Sequence, residues 1–256
     1  MRARRVSVLA LLLVALHLQV AAAAGARGRQ PTAREQQKRR GFRPQSKKAA
    51  AAKFARVERF QKTGLGKTRA KVTRQLKKPA ADKATAVAAV VRIMDTTYMR
   101  VGSEKYARRA EKPSFGASSL RKNQVKVKGD MVSFEFRGKS GVHWQRTVRD
   151  RELAGAIKLF LKSPGKRLFQ LETGAVTETD VRDFLRPFGA VPKDFRTLHS
   201  NRLLDIELAR LGGPPSEAKL KLAIKNVAAQ LGHTPAISRA AYLNPVKLET
   251  YLLRTR

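Results

Sequence analysis

Beyond Ala81 the apolar positions of the chain recur in two periods. Ala84, Val87, Val90, Val91, Met94 and Tyr98 fall at intervals of three and four, which predicts a helix over 81–99 with its apolar face turned inward. The period then drops to two: Val125 and Val127, then Val132, Phe134 and Phe136, alternate with polar residues on either side of Gly129-Asp130, the pattern of a half-buried hairpin. Trp144, Arg146 and Val148 continue that alternation after the Gly138–Gly141 turn and predict a third strand. Helical spacing returns at about 150–162, 177–188, 196–211 and 216–231, and the Tyr242 region closes the chain. The expected fold is mainly α with a small three-stranded antiparallel sheet, and no internal repeat is present.

The first 80 residues follow neither period. Met1–Arg5 carries three arginines and leads into an apolar run to Ala24, broken by His17 and Gln19 and closed by Gly25. This reads as a leader over 1–25, either of the secretory type, with its cleavage site among the alanines, or a mitochondrial-type presequence, since no acid precedes Glu35. Residues 26–80 lack a clean hydrophobic period, although Ala49–Phe60 suits a short basic helix. They are expected to form a basic, disordered arm or a transit-like segment. The folded domain is therefore placed at 81–256, with its boundary near Pro79.

Charge sharpens that division. The chain has 256 residues, with 55 Lys and Arg against 19 Asp and Glu, a formal charge of +36. Residues 1–80 hold 22 of the basic residues and only Glu35 and Glu58 as acids. A field of this size belongs beside a polyanion rather than a small acidic metabolite. Aromatic residues, at 6%, are too few for base stacking on single strands to be the main mode of binding. The absence of cysteine excludes disulfide scaffolds, thiolate zinc sites, iron–sulfur clusters and cysteine nucleophiles, and leaves the redox compartment open.

Two segments near the C-terminus carry the candidate chemistry. Lys193-Asp194-Phe195-Arg196-Thr197 opens one helical pattern, and Leu231-Gly232-His233-Thr234-Pro235 runs on through Arg239 and Tyr242 to Pro245, with His233 and Tyr242 nine positions apart. Together they resemble the type IB DNA topoisomerases of the poxvirus and bacterial kind and, more distantly, the tyrosine recombinases. The likeness extends backwards to Met99-Arg100-Val101-Gly102 with Glu104 and Tyr106, and to Phe134–Gly141 around Lys139. It covers roughly residues 84–246. The resemblance implies Tyr242 as a nucleophile that forms a 3′-phosphotyrosyl link to DNA. Arg100, Arg196 and His233 would stabilise the transition state, and Lys139 would act as general acid toward the 5′ oxygen. Lys193, Arg239, Arg121 and Lys122 are expected to contact DNA. The implied substrate is duplex DNA, with no cofactor, no ATP, no metal and no obligate protein partner, and the chain is expected to act as a monomer.

These residue types suit that chemistry on general grounds. A phosphotyrosine diester keeps the energy of the broken bond, so resealing needs no ATP. Charge gathers on the phosphoryl oxygens in the transition state, where guanidinium forks give permanently charged, directed hydrogen bonds. The 5′ alkoxide is a poor leaving group, so a positioned acid contributes about 10²–10⁴-fold.

Recombinases usually carry His at the position of Lys193 and lack the Arg-x-x-Tyr-x-x-Pro string of Arg239, Tyr242 and Pro245, so both features favour a topoisomerase. His199 is read as structural or as a peripheral DNA contact. Two departures stand out: residues 27–80 do not resemble the β-rich clamp domain of the family, and the loop after the first arginine differs at Lys112–Ala117. The alternatives are a site-specific recombinase and a basic DNA-binding protein with impaired catalysis. A leader on such a chain is coherent with a plastid or mitochondrion, or with nucleus or nucleoid if it is not used.

Overall fold

The computed structural model describes residues 46–254, so the leader and the first part of the basic arm lie outside the described residues. Two helices precede the expected domain start. Helix α1 (Lys47–Arg59) passes through a π-helical turn at Phe60–Gly64 into α2 (Leu65–Lys77). Val57, Phe60, Leu65, Val72 and Leu76 from this pair are buried in the main apolar core, so the stretch from 47 to 77 belongs to the fold and the boundary near Pro79 is corrected. The sequence hides this for a physical reason. The wide π turn shifts the phase of the apolar stripe between α1 and α2, so no single 3.6-residue period runs through both. Long basic side chains fill the positions between.

Helix α3 (Lys83–Thr97) is capped by Asp82, whose carboxylate accepts the Thr85 N–H at 2.7 Å. It ends at Tyr98 in the left-handed region, φ 63°, the only non-glycine there among the described residues. A short helix, α4 (Glu104–Ala107), and two 3₁₀ turns then lead to the sheet. Strands β1 (Val125–Lys128), β2 (Met131–Arg137) and β3 (His143–Arg149) pair antiparallel in the order β1-β2-β3, as the alternation predicts. Lys128 stands opposite Met131 across the Gly129-Asp130 turn, and Phe136 opposite Trp144 at the far end of the second hairpin. Val132, Phe134 and Phe136 face the core.

The remainder is helical apart from a two-stranded ribbon, β4 (Gln170–Leu171) with β5 (Gly174–Ala175). Helices α5 (Arg151–Lys162), α6 (Glu178–Leu185), α7 (Pro192–Leu211) and α8 (Glu217–Gln230) match the predicted patterns. Two short helices, α9 (Pro235–Ala241) and α10 (Pro245–Leu253), flank Tyr242. The apolar interior falls into two clusters. The larger runs from α1 to Phe195 and Leu198, and the smaller joins Leu203 and Leu204 to α8, Leu243 and Leu248. Helix α7 passes from one to the other, and the candidate site lies beside that seam.

Candidate active site

Tyr242 sits at the C-terminal cap of α9 and is only 3% exposed. Its hydroxyl accepts a hydrogen bond from Arg100 Nη1 at 2.8 Å. The His233 ring lies parallel to the phenol, with centroids 4.9 Å apart and planes 7° from coplanar. Arg196 Cζ stands 5.4 Å and Lys193 Nζ 5.6 Å from the same ring centre. Residues from four separate segments thus meet at one phenol: the loop after α3, the start of α7, the turn after α8, and α9.

Each segment is fixed by its own local chemistry. Arg100 lies on an extended stretch whose carbonyl accepts from Ala117 N at 2.9 Å, while Val101 O accepts from Ser118 N at 2.7 Å. This pairing needs two glycines in contact: a Cβ on Gly116 would lie 2.6 Å from Gly102 Cα, and one on Gly102 would lie 2.8 Å from Gly116 Cα. The departure at Lys112–Ala117 therefore still ends in the backbone contact that seats Arg100.

Arg196 is 2% exposed. It donates Nη1 to the Tyr98 carbonyl and Nη2 to Leu231 O at 2.6 Å, so its guanidinium ties the end of α3 to the end of α8. The left-handed conformation of Tyr98 orients that carbonyl. Asp194, two residues earlier, accepts from Val191 N at 3.0 Å at the start of α7.

His233 follows Gly232, whose φ of 61° turns the chain and whose absent side chain leaves room for Trp144; a Cβ there would stand 3.0 Å from the indole ring. The imidazole Nδ1 is 3.2 Å from Ser238 Oγ, and Nε2 is buried with no partner among the described residues. Arg196 Nε is in the same condition. Arg196 Nε thus keeps donor capacity for an incoming oxygen beside the phenol, and His233 Nε2 is a second unpartnered polar atom whose role follows the imidazole tautomer, with Nδ1 also 3.4 Å from the Thr234 carbonyl.

The electrostatics follow from burial beneath a cluster of cations. Burial alone would raise the Tyr242 phenol, but the Arg100 and Arg196 guanidiniums, the Arg100 hydrogen bond and Lys193 outweigh it, and the phenol ionises more readily than usual. Burial, then the charge of Arg196, pushes His233 down to about 4, so its imidazole is neutral at physiological pH. Arg196 is lowered to about 10 by burial and by Arg100, and keeps its charge at neutrality.

The other sequence-predicted residues fall into two groups. Lys193 overlooks the phenol and is exposed, and Arg239 is exposed on the last turn of α9. Lys139 is exposed on the turn between β2 and β3 and does not touch Tyr242. That hairpin end is nevertheless joined to the site through Trp144, which stacks with Phe136 at 6.3 Å and lies 6.0 Å from Arg196 Cζ. Arg121 and Lys122 are turned inward instead. Arg121 pairs with Glu104 at 2.9 Å, and Lys122 donates to the Ser163 carbonyl. His199 is buried with Nε2 2.9 Å from Asp95 Oδ1, which settles its structural role.

Residues missed from sequence complete the site. Asn201 donates to the Tyr242 carbonyl at 2.9 Å and accepts from Asn244 N at 2.9 Å, holding the backbone on both sides of Leu243. Ser238 braces the imidazole. Neither carries a compositional signal, since a lone amide or hydroxyl on a helix is ordinary.

Comparisons with known proteins give the family of the chain. The family described as eukaryotic DNA topoisomerase I, catalytic core, matches residues 37–252. The chain is 32% identical over 222 residues to the DNA topoisomerase 1B of Acanthamoeba polyphaga mimivirus, covering 79% of this chain and 65% of that one. It is 27% identical over 186 residues to the DNA topoisomerase 1B of Vaccinia virus (strain Copenhagen), covering 70% and 57% respectively. The chain thus spans about three-fifths of the length of these curated relatives, from 57% to 65%. Among solved structures, the XerH site-specific recombinase bound to difH substrate aligns with a TM-score of 0.43 at 14% identity, covering 77% of this chain and 52% of that chain. The family match, over most of the chain, defines the class as a DNA topoisomerase catalytic core. Matched from residue 37 to residue 252, the chain belongs to the eukaryotic DNA topoisomerase I catalytic-core family.

Proposed function

We propose that the protein relaxes duplex DNA by transient cleavage of one strand through a 3′-phosphotyrosyl intermediate, acting as a monomer without ATP or a metal ion, in a DNA-containing compartment. The reading is carried by the hydrogen bond of 2.8 Å from Arg100 to the Tyr242 hydroxyl, in a pocket that also holds Arg196 and His233.

In this scheme the phenol loses its proton to solvent, the Oη–P bond forms, and the P–O5′ bond breaks. Arg100, Arg196 and the neutral His233 donate to the phosphoryl oxygens as their charge grows, through groups already fixed before the reaction and therefore without a reorganisation cost. Lys139, on its exposed turn, delivers a proton to O5′ once the hairpin lies against bound duplex. The cut strand rotates about the intact one, and the reverse reaction reseals it.

The test is relaxation of negatively supercoiled plasmid in EDTA without ATP. Wild-type protein should remove supercoils in steps, and Tyr242→Phe should bind DNA and leave it supercoiled. Relaxation by Tyr242→Phe would overturn the reading. Exchange of strands between two duplexes at a defined site would instead favour a recombinase.

A further inference from the structure

Helix α1 contributes a buried lysine that no catalytic motif contains. Lys53 is 6% exposed, and its Nζ donates at 3.1 Å to the carbonyl of Ala241, the residue immediately before Tyr242. The two are 188 positions apart in the chain. Three residues along the same helix, Arg56 forms a two-pronged pair with Asp194, Nε to Oδ2 at 2.9 Å and Nη2 to Oδ1 at 2.8 Å. Asp194 is 1% exposed and caps the helix that carries Arg196. Positions 53 and 56 lie on one face of α1, so that face holds the nucleophile segment with one cation and the start of α7 with the next.

We propose that Lys53 is a positioning residue for the cleavage step, holding the backbone beside Tyr242 and supporting the phenolate with its charge, while Arg56 locks the helix of Arg196 to the same scaffold. The inference rests on the proposed function. Burying an ammonium is costly, and filling the space with an apolar side chain would avoid that cost. Retaining it makes sense where its charge acts on a neighbour. The neighbours are mixed: Lys193 and Arg56 repel the ammonium, while Tyr242 and Asp194 favour it, with Arg100 and Arg196 beyond the phenol. Burial, then Lys193, brings Lys53 down to about 8, so its charge is present at neutral pH and lost above. A plain cap on the last carbonyl of α9 would need only a donor, which the neutral amine also supplies. Charge and donor are therefore separable by pH and by substitution.

The experiment measures single-turnover covalent adduct formation on a nicked suicide duplex, using the full chain from pH 7 to pH 9.5, with DNA affinity by anisotropy alongside. Lys53→Gln keeps a donor without charge, Lys53→Arg keeps charge at every pH, and Lys53→Met removes both. The Gln variant should cleave about tenfold more slowly at pH 7, the effect of one unit in phenol acidity, with affinity unchanged. The wild-type to Gln ratio should shrink as pH rises past 8, whereas the Arg to Gln ratio should hold. Equal cleavage by wild type and Gln at pH 7, or ratios that do not change with pH, would overturn the inference, and the Gln arm decides the matter even if the Met variant does not fold. Absence of any adduct from wild type would instead remove the proposed function, and this inference with it.

Discussion

A phenol enclosed as fully as Tyr242 would ordinarily resist ionisation, and the surrounding guanidiniums reverse that tendency. His233 plays a different part from theirs. Held down to about 4, it stays neutral, and in the proposed cleavage it would serve as a hydrogen-bond donor rather than a charge. Its replacement by Gln should therefore retain much of the cleavage rate, within about tenfold of wild type, while His233→Ala loses about 100-fold, the loss typical of one transition-state donor. Single-turnover cleavage compares the two. Because the folded imidazole titrates below its unfolded value of 6.5, the unfolded chain binds the extra proton first. Stability tied to His233 is present above pH 6.5 and lost as pH falls toward 4. Wild type should lose melting temperature over that window, and His233→Gln should lose less. The candidate set was legible because five motifs stand in the order and approximate spacing of the family that the sequence resembles. Asn201, Ser238 and Lys53 were not, since each acts by reaching a backbone or ring atom that only the folded chain brings near.

Among the elements, the hairpin strands, helix α3 and helices α5 to α8 were readable because each carries one period of its own. The pair α1–α2 was not, since the Phe60–Gly64 turn shifts its apolar stripe and lysines and arginines occupy the rest. Its burial nevertheless makes it integral: Phe60 and Leu76 are each 1% exposed, and Phe60 meets Phe195 edge to face at 5.4 Å. Arg69 adds a paired contact to Asp95 at 2.7 Å. Phe60→Ala should cost about 3–5 kcal/mol of unfolding free energy, read from denaturant titration. A fragment starting at residue 81 exposes the surface that α1 and α2 cover, so it should lose the cooperative thermal transition that a fragment from residue 46 retains. An equally sharp melt from the shorter piece would show that the helices are appendages. The same pair also meets the candidate site, since α1 reaches both Ala241 and Asp194.

Across the whole molecule the excess of cations is spread well beyond the site. The chain carries a formal charge of +36, and Glu58 is the only acid between Lys47 and Lys78. Binding to duplex DNA should fall steeply with salt, with a slope of about 0.9 per phosphate neutralised in a plot of log affinity against log salt. Neutralising Lys193 and Arg239 together should lower that slope by about 2. Neutralising Arg121, already paired with Glu104, should change it little. The central claim concerns the bond made by Tyr242. Its most direct test is to incubate the full chain with duplex labelled on the 3′ or the 5′ side of a cleavage site, denature, and map any covalent adduct by peptide mass. The account predicts a tyrosyl ester on the peptide containing Tyr242, attached to the 3′ phosphate end and absent from Tyr242→Phe. An adduct on another residue, linkage to a 5′ end, or relaxation with no adduct at all would contradict it.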